Sequence, residues 1–145
     1  MDGMGEITQL REIDASVAED IGILVGQLSP NFQPPSQEIL KRIVGNPDYE
    51  LWVVRDGKRI VGMGTLITLV MTIGITAFFE DIIVHDEYRG SGFGKAIMAK
   101  LIERAKACGA SHIDLTSNPK RTAANAFYKK FGFEMRETNV YRLKL

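Results

Sequence analysis

The sequence predicts an α/β sandwich built on a mixed sheet. Three observations carry that prediction. The hydrophobic period switches between 3.6 and 2 along the chain, an Asp-Gly pair separates two β-rich runs, and a glycine-rich turn joins a largely apolar strand to an amphipathic helix. The chain has 145 residues, 45% of them apolar and 25% charged, which fits one domain over residues 1–145 with a core of useful size.

The elements follow in order. Residues Glu6 to Ile13 read as a first strand. Asp14 or Ser16 can cap a helix in which Val17, Ile21, Leu24 and Leu28 share one face, and Ser16 with Glu19 forms a capping box. Ser36 can cap a second helix carrying Ile39, Leu40, Ile43 and Val44, stopped by Gly45-Asn46-Pro47. Leu51 to Val54 and Ile60 to Val70 read as an antiparallel pair joined through Asp56-Gly57, a dipeptide suited to turns in which both central residues take positive φ. Ile73 to Val84 is apolar on both faces apart from Glu80 and Asp81, as expected of a strand covered on both sides. From Gly94 a helix runs with Ile97, Leu101, Ala105 and Cys108 in one stripe, and Gly109 stops it. His112 to Thr116 is a short strand, and residues 121 to 131 form a last helix closed by Gly132. Phe133 to Glu137 and Val140 to Lys144 are two further strand candidates. The predicted order is β-α-α-β-β-β-α-β-α-β-β.

Composition narrows the function classes. Eighteen basic and eighteen acidic residues cancel, so no bulk field draws the chain to nucleic acid or to an anionic membrane. The balance hides an asymmetry: the first twenty residues carry six acids and one base, whereas Asn118 to Arg136 carries five bases and one acid. One cysteine, Cys108, and two distant histidines, His85 and His112, offer no cluster for a metal, and none is expected. Cys108 reads as a small core residue, and both histidines as structural or solvent-facing. No apolar run reaches the roughly 20 residues of a membrane span and no secretory leader is visible, so a cytoplasmic setting is expected.

The segment Tyr88-Arg89-Gly90-Ser91-Gly92-Phe93-Gly94-Lys95 is the most informative. Glycines between a strand and a helix let the backbone turn tightly, and consecutive N–H groups with the helix dipole behind them make an anion cradle. A Walker A loop is excluded, because Arg89 stands where its first glycine belongs and Ala96 where the hydroxyl belongs. A dinucleotide fingerprint fits poorly, since the third glycine comes one residue early and Lys95 stands in its place.

The remaining pattern, Arg-Gly-x-Gly-x-Gly after a strand, resembles the acyl-CoA pyrophosphate loop of the GCN5-related N-acetyltransferase (GNAT) superfamily. Glu80-Asp81-Ile82-Ile83-Val84 resembles the family's fourth strand. The segment from Ala124 through Asn125, Phe127, Tyr128 and Phe131 to Phe133 resembles its fourth helix and the strand after it. The resemblance covers residues 79 to 133. It implies a three-layer α/β sandwich with a mostly antiparallel sheet, and transfer of the acetyl group of acetyl-CoA to a primary amine by direct attack in a ternary complex, without metal.

The resemblance also implies roles. Backbone groups of Ile82, Ile83 and Val84 would pair with the pantetheine arm and polarise the thioester carbonyl. Arg89, Gly90, Ser91, Gly92, Phe93, Gly94 and Lys95 would hold the pyrophosphate. Asn118 and Asn125 are candidates for the pantetheine amides, and Tyr128 matches the general acid, with a cofactor contact of its own. A Tyr that merely packs at the sheet edge is the competing reading of Tyr128. Glu80, placed by alternation on the face of Ile82 and Val84, could take the amine proton or serve as a structural carboxylate.

The Glu80-to-Val84 run and the loop are similar to those of glucosamine-6-phosphate N-acetyltransferases. That similarity reports mostly the cofactor, so small-molecule amine, amino sugar and protein amine all stay open as acceptors. Acceptor choice in the family comes from segments equivalent to Leu28–Gln37 and Val70–Ile75. A homodimer stays open, as does a non-catalytic acyl-CoA-binding module on the same fold.

Overall fold

The Asp14 side chain accepts the Val17 N–H at 2.8 Å and starts the helix α1 (Ala15–Leu28). Ser36 does the same for Ile39 at 3.1 Å and starts α2 (Gln37–Gly45). Each cap satisfies a donor that the first turn would leave unpaired. Ser16 lies inside α1, so the Ser16–Glu19 capping box is not used. The computed structural model describes residues 5–145, and they form two units, one ending at Leu115 and one from Thr116 to Leu145.

The first unit is built on a five-stranded sheet in the order β1-β2-β3-β4-β5. Its strands are β1 (Ile7–Gln9), β2 (Tyr49–Asp56), β3 (Arg59–Met71), β4 (Gly74–Val84) and β5 (Ile113–Asp114). β1 through β4 are antiparallel neighbours and β5 joins β4 in parallel, as a mixed sheet requires. The β2–β3 turn differs from the one expected. Gly57 takes φ 59°, whereas Asp56 and Lys58 do not have positive φ. The loop is therefore Gly57-Lys58 with glycine first, the primed turn that needs one left-handed residue and not two.

Two faces of this sheet are covered. On one, α1 and α2 bury Leu10, Ile21, Leu24, Leu40, Leu51, Val53, Met63 and Ile83 in a continuous cluster. On the other lies α3 (Phe93–Ala107), whose Phe93, Ile97, Met98, Leu101 and Ala105 are buried. The approach of α3 is close because β3 offers it glycines. A Cβ on Gly64 would sit 2.8 Å from side-chain atoms of Ile97 and Leu101, inside van der Waals contact. Glu50, on the same side, accepts from Arg104 Nε at 2.8 Å and Nη2 at 3.1 Å and from Trp52 Nε1 at 2.9 Å. Lys100 of α3 rests 5.2 Å from the Trp52 ring centroid.

The second unit holds one helix, α4 (Thr122–Lys130). Phe131 and Phe133 N–H groups bond back to carbonyls of its last turn. The two strands expected at Phe133–Glu137 and Val140–Lys144 are not formed. Their alternation is strand-like, but β-propensity is realised only against a ladder partner, and no ladder reaches them. Met135, Val140, Tyr141 and Leu143 are accordingly exposed. Among the described residues no helix is long and apolar enough to cross a membrane.

Candidate functional site

The site residues of the first unit lie along one run of chain, from the middle of β4 into the start of α3. Across β3 the register sets Thr65 against Glu80 and Met63 against Ile83, so β4 spends one more residue than β3 over this stretch. Asp81 is the bulged residue, at φ 55°. A β-bulge reverses the alternation beyond it. Glu80 pairs with Thr65 and so shares the α1/α2 face with Ile83 of the core cluster. Ile82 and Val84 point to the other face, against Gly64 and Gly62. The face predicted for Glu80 by simple alternation is thereby corrected.

Both carboxyls at the bulge are shifted upward. Desolvation in the strand pushes the Glu80 carboxyl above its ordinary pKa, and the adjacent Asp81 charge pushes it further, against a hydrogen bond from the Asp81 backbone. Asp81 is raised by desolvation alone. Glu80 is thereby a more basic proton acceptor than a free glutamate, and the carboxyl beside it is also raised from its ordinary value.

β5 pairs with β4 only at Ala77 and Phe78. From Glu80 to Val84 no strand among the described residues lies along that second edge, and such an edge can accept an extended chain as an added strand. The edge leads through a one-turn 3-10 helix (Asp86–Tyr88) into the glycine turn. Gly90 and Gly92 have φ 80° and 90°, a left-handed backbone that a side chain would strain. A Cβ on Gly90 would meet only open space. Gly92 is the N-cap of α3, and unlike Asp14 and Ser36 it provides no side-chain cap. The first-turn donors of α3 are thus available to an anion from outside.

The side chains of the loop divide by what they touch. The Phe93 ring is buried in the core, leaving its N–H as the group it can offer. Arg89 pairs with Asp86 at 2.7 Å, and Ser91 bonds the Tyr88 carbonyl. Lys95 is exposed.

In the second unit, Asn118 and Asn125 are brought together. Asn125 Nδ2 donates to the Asn118 carbonyl at 3.0 Å and to the Arg121 carbonyl at 2.8 Å. Asn118 Oδ1 accepts the Lys120 N–H. The pair fixes the turn that starts α4. Tyr128 is buried, edge-on to Phe127 and Phe133 with centroids 5.8 and 6.1 Å away.

Sequence reasoning missed Asp81 as the residue that orients Glu80. Two acids in an otherwise apolar strand flag the position, but only the register with β3 shows the bulge. His85, read from the sequence as structural or solvent-facing, is buried, and its Nδ1 accepts the Glu87 N–H at 3.1 Å.

The first unit is thus a mixed α/β sheet whose fourth strand leads through a glycine turn into the N-terminus of the following helix. Residues 11–133 match the profile of the Acetyltransferase (GNAT) family, and the chain belongs to that family. Over 61 residues it is 38% identical to an uncharacterized N-acetyltransferase of Methanocaldococcus jannaschii, covering 42% of this chain and 27% of that protein. Over 85 residues it is 38% identical to the glucosamine 6-phosphate N-acetyltransferase of Trypanosoma brucei brucei, covering 57% of this chain and 56% of that one. The chain thus spans about a quarter and just over half of these two curated relatives. A crystal structure of a Trypanosoma brucei acetyltransferase superposes with a TM-score of 0.77 at 27% identity, over 97% of this chain and 99% of that one.

Proposed function

We propose that this protein is an N-acetyltransferase that moves the acetyl group of acetyl-CoA to a primary amine in a ternary complex, as a single domain over residues 1–145. One observation carries the reading: among the described residues the second edge of β4 is without a strand from Glu80 to Val84, and it leads through the Asp86–Tyr88 turn into left-handed Gly90 and Gly92 at the uncapped start of α3. An extended arm ending in a pyrophosphate fits that sequence of features.

When bound, acetyl-CoA supplies an already activated thioester, so no metal is called for. Backbone groups of Ile82, Ile83 and Val84 hold the pantetheine arm, and an N–H among them polarises the thioester carbonyl. The N–H groups of Arg89 to Lys95 hold the pyrophosphate. Asn118 and Asn125 keep the start of α4 in shape for the pantetheine. Glu80, with its raised pKa, takes the proton of the incoming ammonium directly or through water, leaving a neutral amine able to attack. Tyr128 gives its phenolic proton to the departing thiolate. The acceptor is a small amine, an amino sugar or a protein amine; the relative from Trypanosoma brucei brucei supports the amino sugar. We place the reaction in the cytoplasm and leave a homodimer as one assembly to test.

The test is calorimetry with acetyl-CoA in metal-free buffer, followed by free-thiol release across a panel of amines. Stoichiometric binding with turnover on at least one amine is expected. Binding without turnover on any amine makes the protein an acyl-CoA-binding module, and absence of binding removes the reading.

A further inference from the structure

The turn just before the glycines is held from four directions. His85 caps it by accepting the Glu87 N–H. The Asp86 N–H donates to Gln27 Oε1 of α1 at 2.9 Å. The Tyr88 ring stacks on Phe93 of α3, with centroids 6.0 Å apart and planes 22° apart, and meets His85 edge-on at 6.0 Å. The Tyr88 hydroxyl donates to Asp56, the last residue of β2, thirty-two positions earlier. At its other end, the Tyr88 carbonyl accepts both the Ser91 N–H and the Ser91 hydroxyl. Tyr88 therefore closes the loop with its backbone while its side chain is tied to the β2–β3 hairpin.

A turn containing two left-handed glycines has many competing conformers, and ordering it on binding weakens affinity. A carboxylate close to an anion-binding loop repels a phosphate, so Asp56 is not suited to binding one. Its evident task is to hold the Tyr88 hydroxyl. We propose that Tyr88 is a positioning residue for the donor loop, anchored by Asp56, which presets the Arg89–Gly92 turn in the form that receives the pyrophosphate of CoA. This inference rests on the acetyl-CoA reading above, and extends it to a hairpin outside the donor loop.

The experiment compares Tyr88→Phe, Asp56→Ala, their double variant and Asp56→Asn with the wild type. CoA affinity is read by calorimetry. Affinity for pantetheine, which lacks the pyrophosphate, is read by NMR shift titration, and melting curves report the fold. Tyr88→Phe and Asp56→Ala should each weaken CoA binding about fivefold, the effect of losing one partly exposed hydrogen bond to a charge. The double variant should be no worse than either single. Asp56→Asn keeps an acceptor and should stay near wild type, and pantetheine affinity should not change in any variant. Unchanged CoA affinity in both single variants overturns the proposal, as does an equal loss for CoA and pantetheine, which would report general loosening. If the wild type itself fails to bind CoA, it is the functional reading that falls, and this inference falls with it.

Discussion

Glu80 and Ile83, three residues apart on one strand, lie on the same face of the sheet because Asp81 is bulged out between them. The acid is thereby turned to the side of α1 and α2, away from the side where Ile82 and Val84 pack against the glycines of β3.

That placement gives the first prediction. Glu80→Gln should slow acetyl transfer at neutral pH and leave acetyl-CoA affinity nearly intact. The Glu80 pKa is raised, so the wild-type rate should begin to fall on acidification at a pH above the ordinary glutamate range. Alkaline buffer supplies free amine unaided, and there the Gln defect should shrink. A pH-independent defect would assign Glu80 to positioning the acceptor.

Gly92→Val tests the loop. Its φ of 90° at the N-cap of α3 is strained for any β-branched residue, and the added methyls obstruct the approach of a phosphate to the backbone. CoA affinity should fall by more than about 1 kcal/mol in calorimetry. Undiminished affinity would move the pyrophosphate elsewhere.

Tyr128→Phe removes one oxygen and keeps the ring that packs against Phe127 and Phe133. The fold and acetyl-CoA binding should survive while turnover drops roughly 10²-fold, the low end for general acid catalysis. A Phe variant at full speed returns Tyr128 to a packing role.

The polar cluster under α3 is a stability test. Burial pushes the Glu50 carboxyl up, but the hydrogen bonds and charge of Arg104, with Trp52 and Cys108, pull it below its ordinary value of 4.5. A lowered folded-state pKa contributes stability that is present above the ordinary glutamate range and is lost as pH falls through the folded-state value. Arg104→Ala leaves Glu50 without its main partner. It should cost about 2 kcal/mol at pH 7, below the range for a fully buried pair because Arg104 is partly exposed. The cost should shrink in acid, as urea melts at pH 7 and pH 3 can show.

Local chemistry made much of this legible in advance. Asp14 and Ser36 mark their helices because short polar side chains cap donors, and Gly90-x-Gly92 marks the tight left-handed turn into α3 because only glycine takes that backbone freely. Features that depend on partners were not legible. Asp81 looks like one more alternating residue until the ladder with β3 shows the mismatch between Met63 and Thr65. The stretch from Val140 to Lys144 carries a strand's pattern, yet pairing needs a neighbour that its own sequence cannot reveal. Ser16 with Glu19 fits a capping box, but Asp14 two residues earlier takes the N-cap.

The bulge makes β4 tolerant of a change that would scramble an ordinary strand. Removing one residue from a regular strand turns every later side chain to the wrong face. Deleting Asp81 would instead restore a three-for-three ladder between Glu80–Ile83 and Met63–Thr65, with Glu80, Ile82, Ile83 and Val84 all keeping their faces. The shortened strand would lose its left-handed residue and its bend. A chain one residue shorter should therefore fold at least as well and acetylate less well, which would separate the kink that serves chemistry from the ladder that serves the fold.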